Sequence, residues 1–337
     1  MKCFLHIGTE KTATTSIQRF LTLNRETMYE YGFFYPSSLG KLNSIKLAVA
    51  AYHPKRSDDI SLSMGITTDG SLSLEKFKEK VIRELMDELK PIQDQGTDVT
   101  LLLSSEHFHS RLTRIKEIES LKSILEHIGV TQVFVIVYLR NPTELVGSLF
   151  STAIKSGAII AEPPPPSNPY FNNVCNHKNT LEKFGQVFGE SSLIPRIFHK
   201  NDLIKESVIY DFLSALKINS SEDSFLFPEV ENESLSNIGI EILKRLNRSI
   251  PRISGSGINP LRGNIVSYFE KHLNKPKYAV SPETYKEYKN AFMESNEWVR
   301  KKYFPEKDEL FKDTFYQDDI RRSEEHTSEL QSPNTIS

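Results

Sequence analysis

The chain has 337 residues, of which 38% are hydrophobic and 26% charged, with a formal net charge of −2. That is enough apolar material for a large core, and the near-neutral balance argues against nucleic-acid binding, which needs a strongly basic face. No apolar run approaches the roughly 18 to 20 residues of a membrane span, and Met1-Lys2-Cys3-Phe4 lacks a signal peptide's basic start and apolar core, so a cytoplasmic location is expected.

The elements alternate along the chain. A strand at 2–7 leads into a helix over about 12–30, where the spacing of Ile17, Phe20, Leu21 and Asn24 makes one buried face. Residues 32–35 suit a short strand, and 52–73, rich in Ser, Asp, Gly and Pro, a loop. A helix at 74–90 precedes a strand at 98–104, and a helix at 112–128 precedes a strand at 131–139. Val133 to Leu139 are all apolar or aromatic, as in a strand buried on both faces of a parallel sheet. A helix follows at 142–156. Residues 158–176, with prolines at 163–166, read as an extended loop, either a plain connector or a cover that stacks Tyr170 or Phe171 on a sugar ring. Further helices are expected near 234–247, 259–274 and 282–303. This rhythm predicts an α/β three-layer sandwich with a central, mostly parallel sheet in a single domain over 1–320. The strand ends at 7, 104 and 139 should then converge, because ligands of such sheets bind outside the strands' carboxyl ends.

Two segments carry chemistry. In Leu5-His6-Ile7-Gly8-Thr9-Glu10-Lys11-Thr12-Ala13-Thr14-Thr15-Ser16-Ile17-Gln18, a strand ends in glycine and a lysine precedes a run of hydroxyls at a helix start. Free backbone N–H groups, the helix dipole and an ammonium would surround one point, which suits a phosphate or phosphosulfate. The spacing is not that of a nucleoside-triphosphate loop: Lys11 stands three residues after Gly8, with Glu10 directly before it. In the second segment, Arg140 ends the 131–139 strand, Asn141-Pro142 opens a helix, and Ser148 lies two turns into it. A guanidinium there can take a phosphate bidentately at any working pH.

Together these segments resemble the cofactor motifs of sulfotransferases that use 3′-phosphoadenosine-5′-phosphosulfate (PAPS), above all the bacterial glycan-type branch with its H-I-G-x-x-K-T-G-T-T-x-I-Q opening. The resemblance covers residues 2 to about 318 and includes the segments at 192–198, 208–213, Asn232-Glu233-Ser234-Leu235-Ser236 and 296–305. It implies a P-loop NTPase-like sulfotransferase fold. Gly8, Lys11, Thr12, Ala13, Thr14, Thr15 and Ser16 would bind the 5′-phosphosulfate, and Arg140 with Ser148 the 3′-phosphate. Arg262-Gly263 could mimic the basic C-terminal clamp of cytosolic relatives. Ala13 replaces the usual glycine; at positive φ it would cost about 1 kcal/mol.

The implied reaction moves a sulfuryl group from PAPS to a hydroxyl or amine, on a carbohydrate or glycolipid, and leaves adenosine-3′,5′-bisphosphate. Lys11 would meet the charge on the leaving phosphate oxygen. The base would be Glu106, at the end of the 98–104 strand, or one of the nearby His107 and His109, which would alternate on an extended chain. No metal is needed, and the histidines show no ligand spacing. Cys3 and Cys175 are too few for a disulfide framework and read as free thiols. Alternatives are a P-loop-type nucleotide kinase and a non-catalytic nucleotide-binding module. Residues 322–333 resemble the in-frame translation of a sequencing adapter, so 322–337 is read as a non-native tail, without which the formal charge is zero. Oligomeric state and acceptor are left open by the sequence.

Overall fold

The computed structural model describes residues 1–67, 72–96, 98–218, 224–229, 235–254 and 257–312. The expected tail at 322–337 and Asn232-Glu233-Ser234 lie outside the described residues. In chain order the elements are β1 (Lys2–His6), α1 (Thr14–Leu23), α2 (Arg25–Glu30), β2 (Phe33–Phe34), α3 (Ile45–Ala50), α4 (Asp59–Ser63) and α5 (Leu74–Asp94). Then come β3 (Thr100–Ser104), α6 (His107–Arg111), α7 (Ile115–His127), β4 (Gln132–Leu139), α8 (Pro142–Lys155), α9 (Pro169–Cys175), α10 (His177–Phe188), β5 (Leu193–Ile197) and α11 (Val208–Ala215). The chain continues through α12 (Asn237–Ser249), β6 (Ile253–Ser254), β7 (Gly257–Ile258), α13 (Ile265–His272) and α14 (Pro282–Tyr303). These fall into two compact units, Met1–Arg140 with Asn176–Glu229, and Asn141–Cys175 with Val230–Ser337.

The first unit holds the sheet. Its five strands are all parallel, in the order β2-β3-β1-β4-β5, and helices flank it, so the α/β architecture is as expected. Strand β1 pairs with β3 on one side and β4 on the other, His6 lying level with Ser104 and Ile136. From β1 the chain goes out to the edge strand β2, returns to β3 beside β1, and then crosses to β4 and β5, which makes the end of β1 the switch point of the sheet. Alternate strand residues go to one core: Phe4, Leu102, Ile136 and Tyr138 pack with Ile17, Phe20 and Leu21 of α1 and with Ile209, Phe212 and Leu213 of α11. Each fully buried Leu, Ile or Phe contributes about 1.5 to 3 kcal/mol, so this face anchors α1 firmly behind the loop that precedes it.

A buried charge joins sheet and helix. Asp211 of α11, 1% exposed, accepts from the Tyr138 hydroxyl at 2.8 Å and from both Nε and Nη2 of Arg196. Burial and the Asp211 carboxylate hold the Tyr138 phenol far above its ordinary pKa, so the hydroxyl stays a donor.

The structure departs from the periodicity at several places, helix α4 within the expected 52–73 loop among them. The expected helix over 12–30 breaks at Asn24 (φ −114°). Its side chain bonds the Phe20 carbonyl at the end of α1 and also pairs with the Leu226 backbone, Nδ2 donating to the carbonyl and Oδ1 accepting from the N–H, each at 2.8 Å. His107 and His109 stand on helix α6, not on an extended chain. The 158–176 segment contains helix α9, because Asn168 accepts from the Tyr170 and Phe171 N–H groups and Pro169 fills the first helical position.

The second unit is helical. Asn141 caps α8 through the Thr143 N–H, with Pro142 at the first turn, and Asn247 of α12 donates to the Ile154 and Ala158 carbonyls at the other end of α8. Phe171 is buried with Leu145, Val174 and Tyr288, so it is a core residue and not a ring offered to a sugar; Tyr170 is 38% exposed. Among the described residues no helix is long and apolar enough to cross a membrane.

Asp211→Ala strips the counter-charge from a half-buried guanidinium and is expected to cost about 3 to 5 kcal/mol in urea unfolding. Tyr138→Phe is expected to cost only about 1 kcal/mol. Equal effects would mean that the charge is not the stabilising element.

Candidate functional site

The site grows from the switch point. Beyond β1 the chain passes through positive φ at Gly8 (+70°), Lys11 (+63°) and Ala13 (+56°) before α1 begins. Only Gly8 does so without strain. Ala13 gives α1 no side-chain cap, and no acidic residue stands in the first turn. The leading N–H groups of α1 and its dipole therefore face the loop with nothing from the helix itself to neutralise them. Thr12 is buried and braces the loop from within, its hydroxyl donating to the Thr9 carbonyl at 2.6 Å. Thr14 is buried, Thr15 exposed and Ser16 half-buried, with the Ser16 N–H turned back on the Ala13 carbonyl at 3.0 Å. The Thr9 hydroxyl oxygen is buried and makes no hydrogen bond among the described residues.

Glu106 comes from the neighbouring strand. The Ser105 N–H bonds the His6 carbonyl at 3.0 Å, which fixes the end of β3 beside β1. A Cβ on Gly8 would fall 2.9 Å from the Glu106 Cα, so the glycine is what lets the loop lie against that residue. Gln18 of α1, 2% exposed, donates its side-chain amide to Glu106 Oε2 at 2.8 Å. Arg140 closes the other side: its Nη1 donates to the Lys11 carbonyl at 2.7 Å, and its guanidinium carbon lies 5.7 Å from the Phe198 ring centroid. Lys11, Glu106 and Arg140, expected to converge, thus meet around one loop in the first unit.

The histidines divide by burial. His107 is partly buried in the first turn of α6, its N–H on the Ser105 hydroxyl at 3.3 Å. His109 is 2% exposed, within 3.0 Å of the Thr180 hydroxyl, and burial with help from Lys183 and His177 pushes its pKa down to about 3. It is a neutral structural group, and the expectation that it could serve as base is corrected. His177 is fully buried, its Nε2 donating to the Arg140 carbonyl at 2.7 Å, with a pKa lowered by burial to about 4. His6, also fully buried, lies 2.8 Å from the Ser104 hydroxyl, and burial lowers its pKa to about 3. At the far end of α6, Arg111 bonds Asp58 and Asp59 around α4. Burial opposes its charge, but Asp59, Asp58, Tyr52 and Glu10 together raise its pKa.

Ser148 belongs to the second unit, on α8, where its carbonyl accepts the Thr152 hydroxyl. Its expected part in holding a 3′-phosphate rests on the sequence resemblance alone. Arg262 is 4% exposed, with Nη1 on the Ile250 carbonyl at 3.3 Å, and burial followed by the nearby Arg252 lowers its pKa. Both cysteines are buried, and burial raises their thiol pKa values out of the reactive range. Among the described residues no group of three or more His, Cys, Asp or Glu is placed to hold a metal ion.

No family model and no curated protein matches the chain. A solved sulfotransferase from Alicyclobacillus acidocaldarius is similar over 76% of this chain and 97% of its own, with 13% identity and a TM-score of 0.39, a likeness too remote to carry weight. The site is therefore judged on its own geometry. Two of its members were not singled out from sequence. Gln18 stood in view as the last residue of the loop motif, whereas His177 lies in a stretch with no local signal.

Two outcomes are expected. Ala13→Gly relieves a left-handed alanine and should raise stability to urea by about 1 kcal/mol; a loss would mean that the alanine is not strained. His6, His109 and His177 are neutral when folded and bind protons when unfolded below about pH 6.5, so stability falls as pH drops from about 6.5 toward 3. Between pH 7 and pH 5 each should cost about 2 kcal/mol at most in urea unfolding. Equal stability at the two pH values would contradict the burial of these rings.

Proposed function

We propose that the chain is a PAPS-dependent sulfotransferase acting on a hydroxyl or amine acceptor, of carbohydrate or glycolipid type, with adenosine-3′,5′-bisphosphate as product. The observation that carries this reading is the bond from Arg140 to the Lys11 carbonyl, because it ties together the two motifs that resemble the two halves of the nucleotide site, 129 residues apart. Two further features fit an anionic donor at this point. Positive-φ residues at Gly8, Lys11 and Ala13 open the loop, and the start of α1 carries no acidic residue.

In the proposed reaction the acceptor oxygen bonds to the sulfur of the phosphosulfate while the bond from sulfur to the bridging phosphate oxygen breaks. The acceptor proton passes to the Glu106 carboxylate, and the electron pair leaves with the phosphate oxygen of adenosine-3′,5′-bisphosphate. Lys11 and the N–H groups of the loop, with the hydroxyls of Thr14, Thr15 and Ser16 on the same turn, offset that charge as it grows. Arg140 holds the 3′-phosphate. Glu106 is preferred to His107 as base because its backbone packs against Gly8 of the loop and its carboxylate accepts from Gln18 of α1.

The test separates the nucleotide classes first. Adenosine-3′,5′-bisphosphate should raise the melting temperature and ADP with magnesium should not, since ligand that binds only the folded state stabilises it by mass action. Glu106→Gln should then keep that binding while lowering sulfuryl transfer at least about a hundredfold. Preference for ADP would favour a kinase, and unimpaired transfer by the variant would remove Glu106 from the mechanism.

A further inference from the structure

Gln18 is 2% exposed, on the second turn of a helix whose other buried residues are Thr14 at its start and the apolar Ile17, Phe20 and Leu21. A buried amide is costly unless its hydrogen bonds are made. Here its Nε2 reaches Glu106 Oε2 at 2.8 Å, across 88 residues of sequence. No helix-propensity or packing reason calls for glutamine at this point, since leucine or methionine would fill the same volume beside Ile17 and Leu21. The carboxylate it meets is also fixed from behind, where the Glu106 backbone lies against Gly8 and the Ser105 N–H is bonded to the end of β1.

We infer that Gln18 is a positioning residue for the proposed transfer: it holds Oε2 of Glu106, so that Oε1 is the oxygen that receives the acceptor's proton. This rests on the sulfotransferase reading and deepens it. A carboxylate on a loose side chain samples several rotamers and presents either oxygen, whereas one oxygen tied to a buried amide leaves the other with a defined direction. The amide donates to Oε2 and leaves Oε1 free of that bond. It cannot itself take up the proton, which sets it apart from the titratable groups around Glu106. These are His107, next in sequence, and Tyr35, whose phenol is driven up by burial, eased by Arg25 and raised again by the Glu106 charge, and so remains a neutral hydroxyl.

Gln18→Met keeps length and burial but removes the donor, and Gln18→Glu keeps the shape but sets a second carboxylate against the first. Both are measured beside the wild type for adenosine-3′,5′-bisphosphate binding by thermal shift and for sulfuryl transfer across pH. Binding is expected within about twofold of wild type for both variants. For Gln18→Met, kcat should fall about tenfold or more with an unchanged KM for PAPS, and the acid limb of the kcat profile should move to higher pH. In Gln18→Glu that limb should move further still. Wild-type kcat and an unmoved acid limb in either folded variant would overturn the role of Gln18 and leave the function standing. Failure of the wild type to bind adenosine-3′,5′-bisphosphate would overturn the function and this role with it.

Discussion

One hydrogen bond, from the Arg140 guanidinium to the Lys11 carbonyl, ties together the two parts of the sequence that carry the site. It requires Lys11 at φ +63°, a conformation that costs an ordinary side chain roughly 1 kcal/mol, and a charged donor bonding a carbonyl recovers more than that. The sheet makes the meeting possible. Because β1 pairs in parallel with both β3 and β4, the chain leaves all three strands on the same side, and residues from the three ends become neighbours without any contact in sequence. The left-handed residues at Gly8, Lys11 and Ala13 turn the chain within the few residues available before α1 must start on its buried face.

Beneath that loop the protein buries polar groups, and their energetics divide in two. His6, His109 and His177 are kept by desolvation in their neutral form, each with a hydroxyl or carbonyl partner, so they add hydrogen bonds without adding charge. Asp211 is the opposite case. It is buried as an ion, and the Arg196 fork with the Tyr138 hydroxyl supplies enough donors to hold it so. The acid-sensitive groups thus hold up the framework, while Glu106 keeps one neutral hydrogen-bond donor, Gln18, as its closest recorded partner.

Much of this was legible in the sequence because it is local. Seven apolar residues from Val133 to Leu139 can hardly be other than a central strand, and Pro142 after Asn141 marks a helix start by the chemistry of those two residues alone. What was illegible depends on distant partners. The break at Asn24 is decided by the Leu226 backbone, 202 residues away, and nothing in the apolar spacing around Asn24 records that. The four prolines at 163–166 suggested an extended course through 158–176, yet the Asn168-Pro169 cap inside that segment was the stronger signal and starts α9. Phe171 was misjudged for the same reason: on a loop it would be a free ring, but on α9 it turns into the core.

The assignment of the base follows from these packing facts more than from the residue types. Imidazole titrates nearest to neutrality, which by itself would favour a histidine. Burial reverses that order at His109, where the ring is sealed against Thr180 and desolvation disfavours its protonated form. His107 is partly buried, with its backbone N–H on the Ser105 hydroxyl. Glu106 lies against Gly8 of the anion loop and accepts from the amide of Gln18 on the helix that follows it. A proton acceptor has to be held at a fixed distance from the group whose proton it takes, so geometry outranks intrinsic pKa here.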